Sequence, residues 1–539
     1  MPCDMFPISA EEKHNPAIQL FGNRLYIDQS PIELLVELLL VADSPKWIGD
    51  AGEVIAGALP DHRQLGRWPH KTALVYAPRA RLNLKLLAFM GASRLDSRHE
   101  THRQHFKELL ERIKQNMRVA DGGDKEDVLR TLESLFLGFH GAGGGRTWCA
   151  QSFAPVSRGL LAGETIWGES AARKGNPKTW QDVVEAKGGQ YFSYDKHLFL
   201  ARGGEVLYIQ ICRALREPAE SVRQWAQASG VGLAKDELDP ACLCRALGVA
   251  LDEAMDHCPQ TVAHLADFLD RGIEPETARA TDREDTERRT VKAGCCADES
   301  WQEGYLFAVD LLRLCKADLD PMERLSLLES ACALQVLRTL AAQSARHCAG
   351  ERKAPWPGYR LAFAAPQESR AAVKRISRDS ARMAERMIHH AIRDDEDALP
   401  DELDERASKL READRRYGGK LFTGLCKRIG LLVPRKGAGA RFTLDERLLR
   451  LLVVTTVPAG GRLQYDTFKQ LVEARHGFVF DAEGLNRAAA WANGADPVNL
   501  GSGIDAWLHE MLAAAGLLVE LSDSCSLVKN PAQKKGGAA

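Results

Sequence analysis

The chain has 539 residues, 45% of them hydrophobic and 27% charged, with 72 Lys and Arg against 74 Asp and Glu. At roughly 100–200 residues per domain, that length predicts three or four domains, and the ordinary apolar content excludes a wholly disordered chain. A formal net charge of −2 excludes a uniformly basic nucleic-acid coat, so any electrostatic message is local.

The first residues, MPCDMFPISAEEKHN, hold no basic stretch followed by an apolar one, as a secretory signal would. The longest apolar run, 34–42, is broken by Glu37 and falls well short of the ~20 residues of a membrane span. Thirteen cysteines lie scattered without a repeating spacing, mostly among Leu, Ala and Val, where Cys acts as a small buried apolar side chain. The expectation is a reduced cytoplasm and no membrane contact. Heavy use of Ala, Arg, Leu and Gly fits a GC-rich bacterial source.

Apolar spacing predicts helix nearly everywhere. The first segment is 32–41, opened by Pro31 with Ser30 as its cap. Further helices are predicted at 98–117, 125–137, 204–215, 219–228, Pro240–Met255, 261–269, 299–315 and 321–345. In the last of these Leu325, Leu328, Cys332, Gln335 and Thr339 share one face. Strand signals are confined to 72–76, 191–199 and a C-terminal hairpin. Breaks in composition divide the chain into a mainly helical unit at 1–190 and a helical unit at 191–349 with a charged linker near 272–292. A basic helix with an acidic linker follows at 367–405, then a basic segment with a folded end at 406–530, and a disordered tail at 531–539. The Pro-rich stretch 350–366 reads as a linker.

The last hundred residues carry the most legible topology. Helices are predicted at 443–454 (capped by Thr443), 465–475 (stopped by Gly477), 485–492 and 504–515, then strands at 517–521 and 526–528 across a Ser-Asp-Ser turn. Helices followed by a hairpin resemble a winged-helix domain. The fold class expected is therefore mainly α: a multidomain helical protein with a C-terminal winged-helix-like domain and few strands.

No catalytic motif is complete. Gly138–Thr147, GFHGAGGGRT, imitates a phosphate loop, but Arg146 stands for the Lys and a helical segment precedes it instead of a strand. His99, His102 and His105 miss the four-residue spacing that lets two imidazoles share a zinc, and Arg98, Arg103 and Lys107 would repel a cation. Cys242 and Cys244 fall in a helical pattern, where residues two apart point away from each other. With His257, Cys258, Cys295 and Cys296 they read as ordinary core and surface residues. Asp182, Glu185 and Lys187 weakly imitate a Mg²⁺ nuclease centre, with His197 and Glu205 nearby. No cofactor and no metal are expected.

The charge pattern is the firmest signal. Arg370, Lys374, Arg378, Arg382, Arg386 and His390 recur every four residues, a step of about 40° that draws a slowly winding ribbon along a helix. Val373, Ile376, Met383, Met387 and Ala391 form the apolar stripe behind it. Eight acids lie between 394 and 405, and from 406 to 450 thirteen bases face four acids. That second region contributes Arg415, Arg416, Lys420, Lys427, Arg428, Arg435, Lys436 and Arg441 as phosphate contacts. Between 488 and 528 there is no Lys or Arg but five acids (Asp496, Asp505, Glu510, Glu520, Asp523), a poor composition for a groove-reading helix and wing.

The function expected from these features is a non-enzymatic subunit of a bacterial multi-protein machine, with anti-phage defence as a setting. It would bind DNA through backbone contacts at the two basic regions and dock other protein subunits through its helical surfaces. The alternatives are a metal-dependent nuclease of unfamiliar type and a pure protein scaffold whose ribbon answers its own acidic block.

Overall fold

A computed structural model of the chain describes residues 15–22, 25–49, 52–69, 72–79, 110–119, 123–139, 152–163, 166–167, 192–193, 202–256, 260–271, 290–348, 356–394, 399–522 and 525–532, with Arg81, Leu84, Leu87 and Lys107 besides. Among them are seventeen α-helices and thirteen short strands, so the protein is mainly α-helical.

The first part holds α1 (Pro16–Phe21), α2 (Pro31–Asp43), α3 (His62–Arg67) and α4 (Lys125–Gly138). Helix α2 starts where Pro31 fixes the first turn, and Glu33 reaches back to accept the Ser30 N–H at 2.7 Å. A four-stranded antiparallel sheet is laid against these helices from β1 (Lys46–Ile48), β2 (Val54–Ile55), β3 (Leu74–Tyr76) and β6 (Val291–Lys292), in the order β2-β1-β3-β6. Strands β4 (Ile166–Trp167) and β5 (Phe192–Ser193) pair separately.

The helices that follow are α5 (Gly203–Leu215), α6 (Ala219–Ser229), α7 (Pro240–Met255) and α8 (Gln260–Arg271), then α9 (Trp301–Lys316) and α10 (Pro321–Cys348). Helices α5, α9 and α10 form the centre. Two glycines set their spacing: a Cβ on Gly204 would fall 2.3 Å from Leu34 O of α2, and one on Gly304 would fall 2.5 Å from Gln210 O of α5. From Leu327 to Arg346, α10 is buried around nearly its whole circumference, not on the single face its spacing predicts. It is the one helix among the described residues long and apolar enough to cross a membrane, and 89% of its most apolar stretch is buried inside the fold.

The C-terminal part contains α11 (Ala371–Asp394), α12 (Leu403–Arg416), α13 (Gly419–Arg428), α14 (Glu446–Thr456), α15 (Tyr465–His476), α16 (Ala482–Asn493) and α17 (Ala506–Ala514). The cap of α14 is Asp445, whose carboxylate accepts the Leu448 N–H at 2.8 Å, and not Thr443 as expected. The segment read as a Pro-rich linker enters the core: Tyr359 and Phe363 are buried, and β7 (Leu361–Ala362) pairs in parallel with β11 (Phe478–Val479). Strand β8 (Leu432–Val433) forms a hairpin with β9 (Arg441–Phe442). The terminal sheet joins β10 (Arg462–Gln464), β12 (Leu518–Ser522) and β13 (Cys525–Lys529) in the order β10-β13-β12.

One buried apolar cluster extends from Ala17 to Ala532 and draws on all four segments expected to fold. Some buried charges are matched in pairs, since a buried ion without a partner would cost several kcal/mol, while Lys46 and Arg324 satisfy theirs on backbone carbonyls. Arg346 of α10 clasps Glu303 of α9 through bonds of 2.6 and 2.5 Å, and Arg313 of α9 clasps Glu237 at 2.7 and 2.6 Å.

Candidate nucleic-acid interface

Helix α11 positions the first basic series. Val373, Ile376, Ser377, Ser380, Ala384, Met387, Ile388 and Ala391 are buried, while Met383 of the expected apolar stripe is only half-buried. The two serines replace apolar contact with hydrogen bonds to the strands beneath. Ser380 Oγ accepts the Ala362 N–H at 3.1 Å, and Ser377 Oγ accepts the Phe442 N–H at 2.9 Å. The second bond fastens the β8–β9 hairpin to α11.

That attachment joins parts of the two basic regions. The hairpin loop carries Arg435 and Lys436 and turns through Gly437 and Gly439, whose φ values of +98° and +83° favour glycine. A Cβ on Gly439 would stand 3.9 Å from Arg378 Cδ, so the loop lies over the ribbon. Arg378 Nε donates to Lys374 O one turn earlier at 3.3 Å. Arg441, at the base of the hairpin, donates to Pro366 O at 2.6 Å. The loop that bears Arg435 and Lys436 thus runs beside α11 at Arg378, and none of Lys374, Arg378, Arg435, Lys436 and Arg441 is within ion-pair distance of a carboxylate among the described residues.

Other predicted contacts are spent inside the fold. Arg370 donates to Glu368 at 2.8 and 2.9 Å, and its guanidinium holds that carboxyl below the usual range. Arg386 reaches Ala492 O and Asn493 Oδ1 at 3.3 and 3.4 Å, tying α11 to α16. Arg382 is exposed, 3.7 Å from Asp379, a pairing worth about 0–1 kcal/mol at a surface.

The remaining bases lie on α12 and α13, around the Tyr26–Gln29 turn. Arg416 stacks over the Tyr26 ring at 5.9 Å and pairs with Glu412 at 3.2 Å. Arg428 donates to Gln29 O at 2.6 Å. Arg415, Lys420 and Lys427 have no ionic partner among the described residues. The acids expected to answer the ribbon do not touch it where they are described. Asp414, outside that block, takes Arg393 in a two-bond pair of 3.0 and 2.5 Å.

Some bases escaped the sequence pattern. Arg375 is exposed and, 100° from Lys374 on the helix, lies on the ribbon face although it breaks the four-residue spacing. Arg462 and Lys529 face one another across β10 and β13, adding two bases to a sheet that sequence proximity leaves acidic. No local signal could find them, because β10 enters that sheet from more than fifty residues away. Asp505, counted among the repelling acids, is bound by Lys469 at 2.6 Å.

The rival chemistry gathers no site among the described residues. Asp182, Glu185, Lys187 and His197 lie outside them, as do His99, His102, His105, His257, Cys258 and all but the first two residues of the glycine string. Glu205 is buried and occupied, accepting from Tyr76 Oη at 2.7 Å and the Gly294 N–H at 2.8 Å. Cys242 is exposed while Cys244 is buried with its thiol on Pro60 O, so the two point apart. Compared with known proteins, the chain matches no family model, no curated protein and no solved structure.

Proposed function

We propose that the protein is a non-catalytic subunit of a bacterial multi-protein machine, with phage defence as one setting, that holds DNA by its phosphate backbone and docks other proteins. The observation that carries this reading is the Ser377–Phe442 bond, which fastens to α11 the hairpin whose loop passes beside Arg378. Five bases from two remote stretches, none with a carboxylate partner among the described residues, are thereby brought toward one face, an arrangement that gives sequence-independent affinity. The contacts lie on a helix flank and a loop and present no set of base-reading side chains. Backbone binding follows, not sequence reading.

The C-terminal order of helix, strand, three helices and hairpin, with β11 after the first of the three pairing elsewhere and β10 completing the terminal sheet, supports the winged-helix reading. The fourth helix, α17, which precedes the hairpin, carries Glu510 and no Lys or Arg, which favours a protein partner there. The pure-scaffold alternative draws its support from Arg370, Arg386, Arg416 and Arg428, all used in internal contacts.

The deciding experiment reverses Lys374, Arg378, Arg435 and Lys436 to Glu and measures duplex DNA affinity against salt. Each lost phosphate contact lowers the slope of log K on log salt by about 0.9. A fall of roughly 3.6, four contacts at about 0.9 each, in a variant with unchanged melting temperature supports the reading. An unchanged slope in a stably folded variant removes it and leaves the scaffold.

A further inference from the structure

We propose that the free edge of β12 is a docking site for an extended, lysine- or arginine-bearing strand of a partner protein. The sheet order leaves β12 unpaired on one side, with β13 on the other. Lys529 N–H donates to Leu517 O, and the register pairs Val519 with Leu527. In an antiparallel ladder the hydrogen-bonded pairs alternate, so the backbone groups of Leu518 and Glu520 point outward. Among the described residues no neighbouring element takes them up.

Edge strands are usually guarded by Lys or Pro, or covered. Strand β12 has neither residue, and Leu521 beside the free edge is 59% exposed. A register irregularity after Glu520 limits pairing to about the span 518–520, so the edge offers a short clamp and not an open-ended template.

Charge selects the occupant. Glu520 and, on the adjoining α17, Glu510 are exposed, and no Lys or Arg occurs between 488 and 528. The facing side chain is His509, whose Nδ1 lies 3.9 Å from Glu520 and whose other ring nitrogen is on Ser526 Oγ. Arg462 sits two strands away, roughly 10 Å from β12 at ordinary strand spacing, and Lys529 lies opposite Leu517 at the far end of the strand. A strand with alternating bases would complete the ladder and meet Glu520 and Glu510, whereas an acidic strand would be repelled. Strand addition of this kind takes affinity from the main chain and specificity from alternate side chains.

The test uses the full chain and a fluorescein-labelled nine-residue peptide of alternating Lys and Val. One control has the same charge with Pro at two Val positions, and another has Glu for Lys. Binding at least tenfold tighter than to either control is expected, weakened at least tenfold by Glu520→Pro, which removes one outward N–H at an edge position that tolerates Pro. Glu520→Lys keeps the N–H and should shift preference toward the Glu peptide, so the proposal stays testable if the Pro variant does not fold. Equal binding of the Pro control would reduce the site to mere charge and overturn the proposal. So would a concentration-dependent dimer abolished by Glu520→Pro, which would make the occupant a second copy. The proposal is independent of DNA binding, since the peptides probe β12 and the duplex probes α11 and its hairpin.

Discussion

Arg475 of α15 and Asp310 of α9 are 165 residues apart in the chain, yet Nη2 of one lies 2.5 Å from Oδ1 of the other. Arg338 of α10 takes the second Asp310 oxygen at 2.8 Å, and Arg475 also donates to Val231 O at 3.1 Å. Burial alone would raise the Asp310 carboxyl, but the two guanidiniums overrule it and hold it below the ordinary range. Burial lowers Arg475 to about 10 despite that partner. The clasp joins the C-terminal helices to the central ones, and its members are stable only together.

Asp310→Asn should therefore destabilise the protein by about 3–5 kcal/mol, since two buried guanidiniums would then share a neutral amide. Urea unfolding followed by far-UV circular dichroism measures it. Arg475→Met should cost less, because Arg338 still neutralises the aspartate. A loss under about 1 kcal/mol for Asp310→Asn would mean that the charges are solvated and the clasp is idle.

His476, beside the clasp, is buried, and burial together with Arg338 pushes its pKa well below the usual value. A base depressed in the folded state binds protons more readily when unfolded. Stability from this group is complete above about pH 6.5 and is lost as pH falls below it. His476→Gln should flatten the decline in melting temperature between pH 7 and pH 5. An unaltered decline would assign it to other groups.

Glu329 on α10 has the opposite sign. Burial raises its carboxyl to about 7, with Arg447 opposing. An acid raised in the folded state supports stability at low pH, and this support is lost as pH rises from about 4.5 through 7. Glu329→Gln should thus gain about 1–3 kcal/mol at pH 8 and nothing at pH 4. Thermal unfolding at the two pH values checks the difference, and an equal effect at both would contradict the shift.

Arg428 tests whether a base used inside the fold also serves the proposed DNA surface. Its bond to Gln29 O closes α13 on the N-terminal turn, so Arg428→Ala should cost about 1–3 kcal/mol. Duplex affinity at fixed salt, measured below the variant's melting range, should remain within about twofold. A tenfold loss in a fully folded variant would place Arg428 on the binding surface after all.

Most helix positions were legible because caps and periodicity are local, although α1, α3, α12 and α13 went unread. Pro31 with Ser30 and Glu33 marks α2, and Gly477 and Gly494 stop α15 and α16 in the left-handed conformation they adopt at φ +67° and +64°. Among the strands, β3 and the β12–β13 hairpin were legible, but β7, β8, β9 and β11 were not, because they have two residues each, and β7 and β11 find each other across more than a hundred residues. Charge spacing located the bases but could not separate them. Arg378 and Arg386 occupy equivalent steps of one ribbon, yet one is covered by the hairpin loop and the other bonds the end of α16. That distinction depends on which element packs beside each, information that no window of sequence contains.

Ser377 tests whether the binding surface depends on placement as well as on charge. Removing its hydroxyl leaves the buried Phe442 N–H without a partner and should cost about 1–3 kcal/mol. Ser380→Ala is the matched control, since it frees the Ala362 N–H of β7 and leaves the hairpin attached. Both variants should lose similar stability. Only Ser377→Ala should expose Arg435 and Lys436 to faster trypsin cleavage and lower the salt slope of DNA binding, although no charge has been removed. A ribbon that binds DNA without the hairpin would give the same slope in both variants. Faster cleavage with an unchanged slope would then confine the phosphate contacts to α11 and exclude the loop.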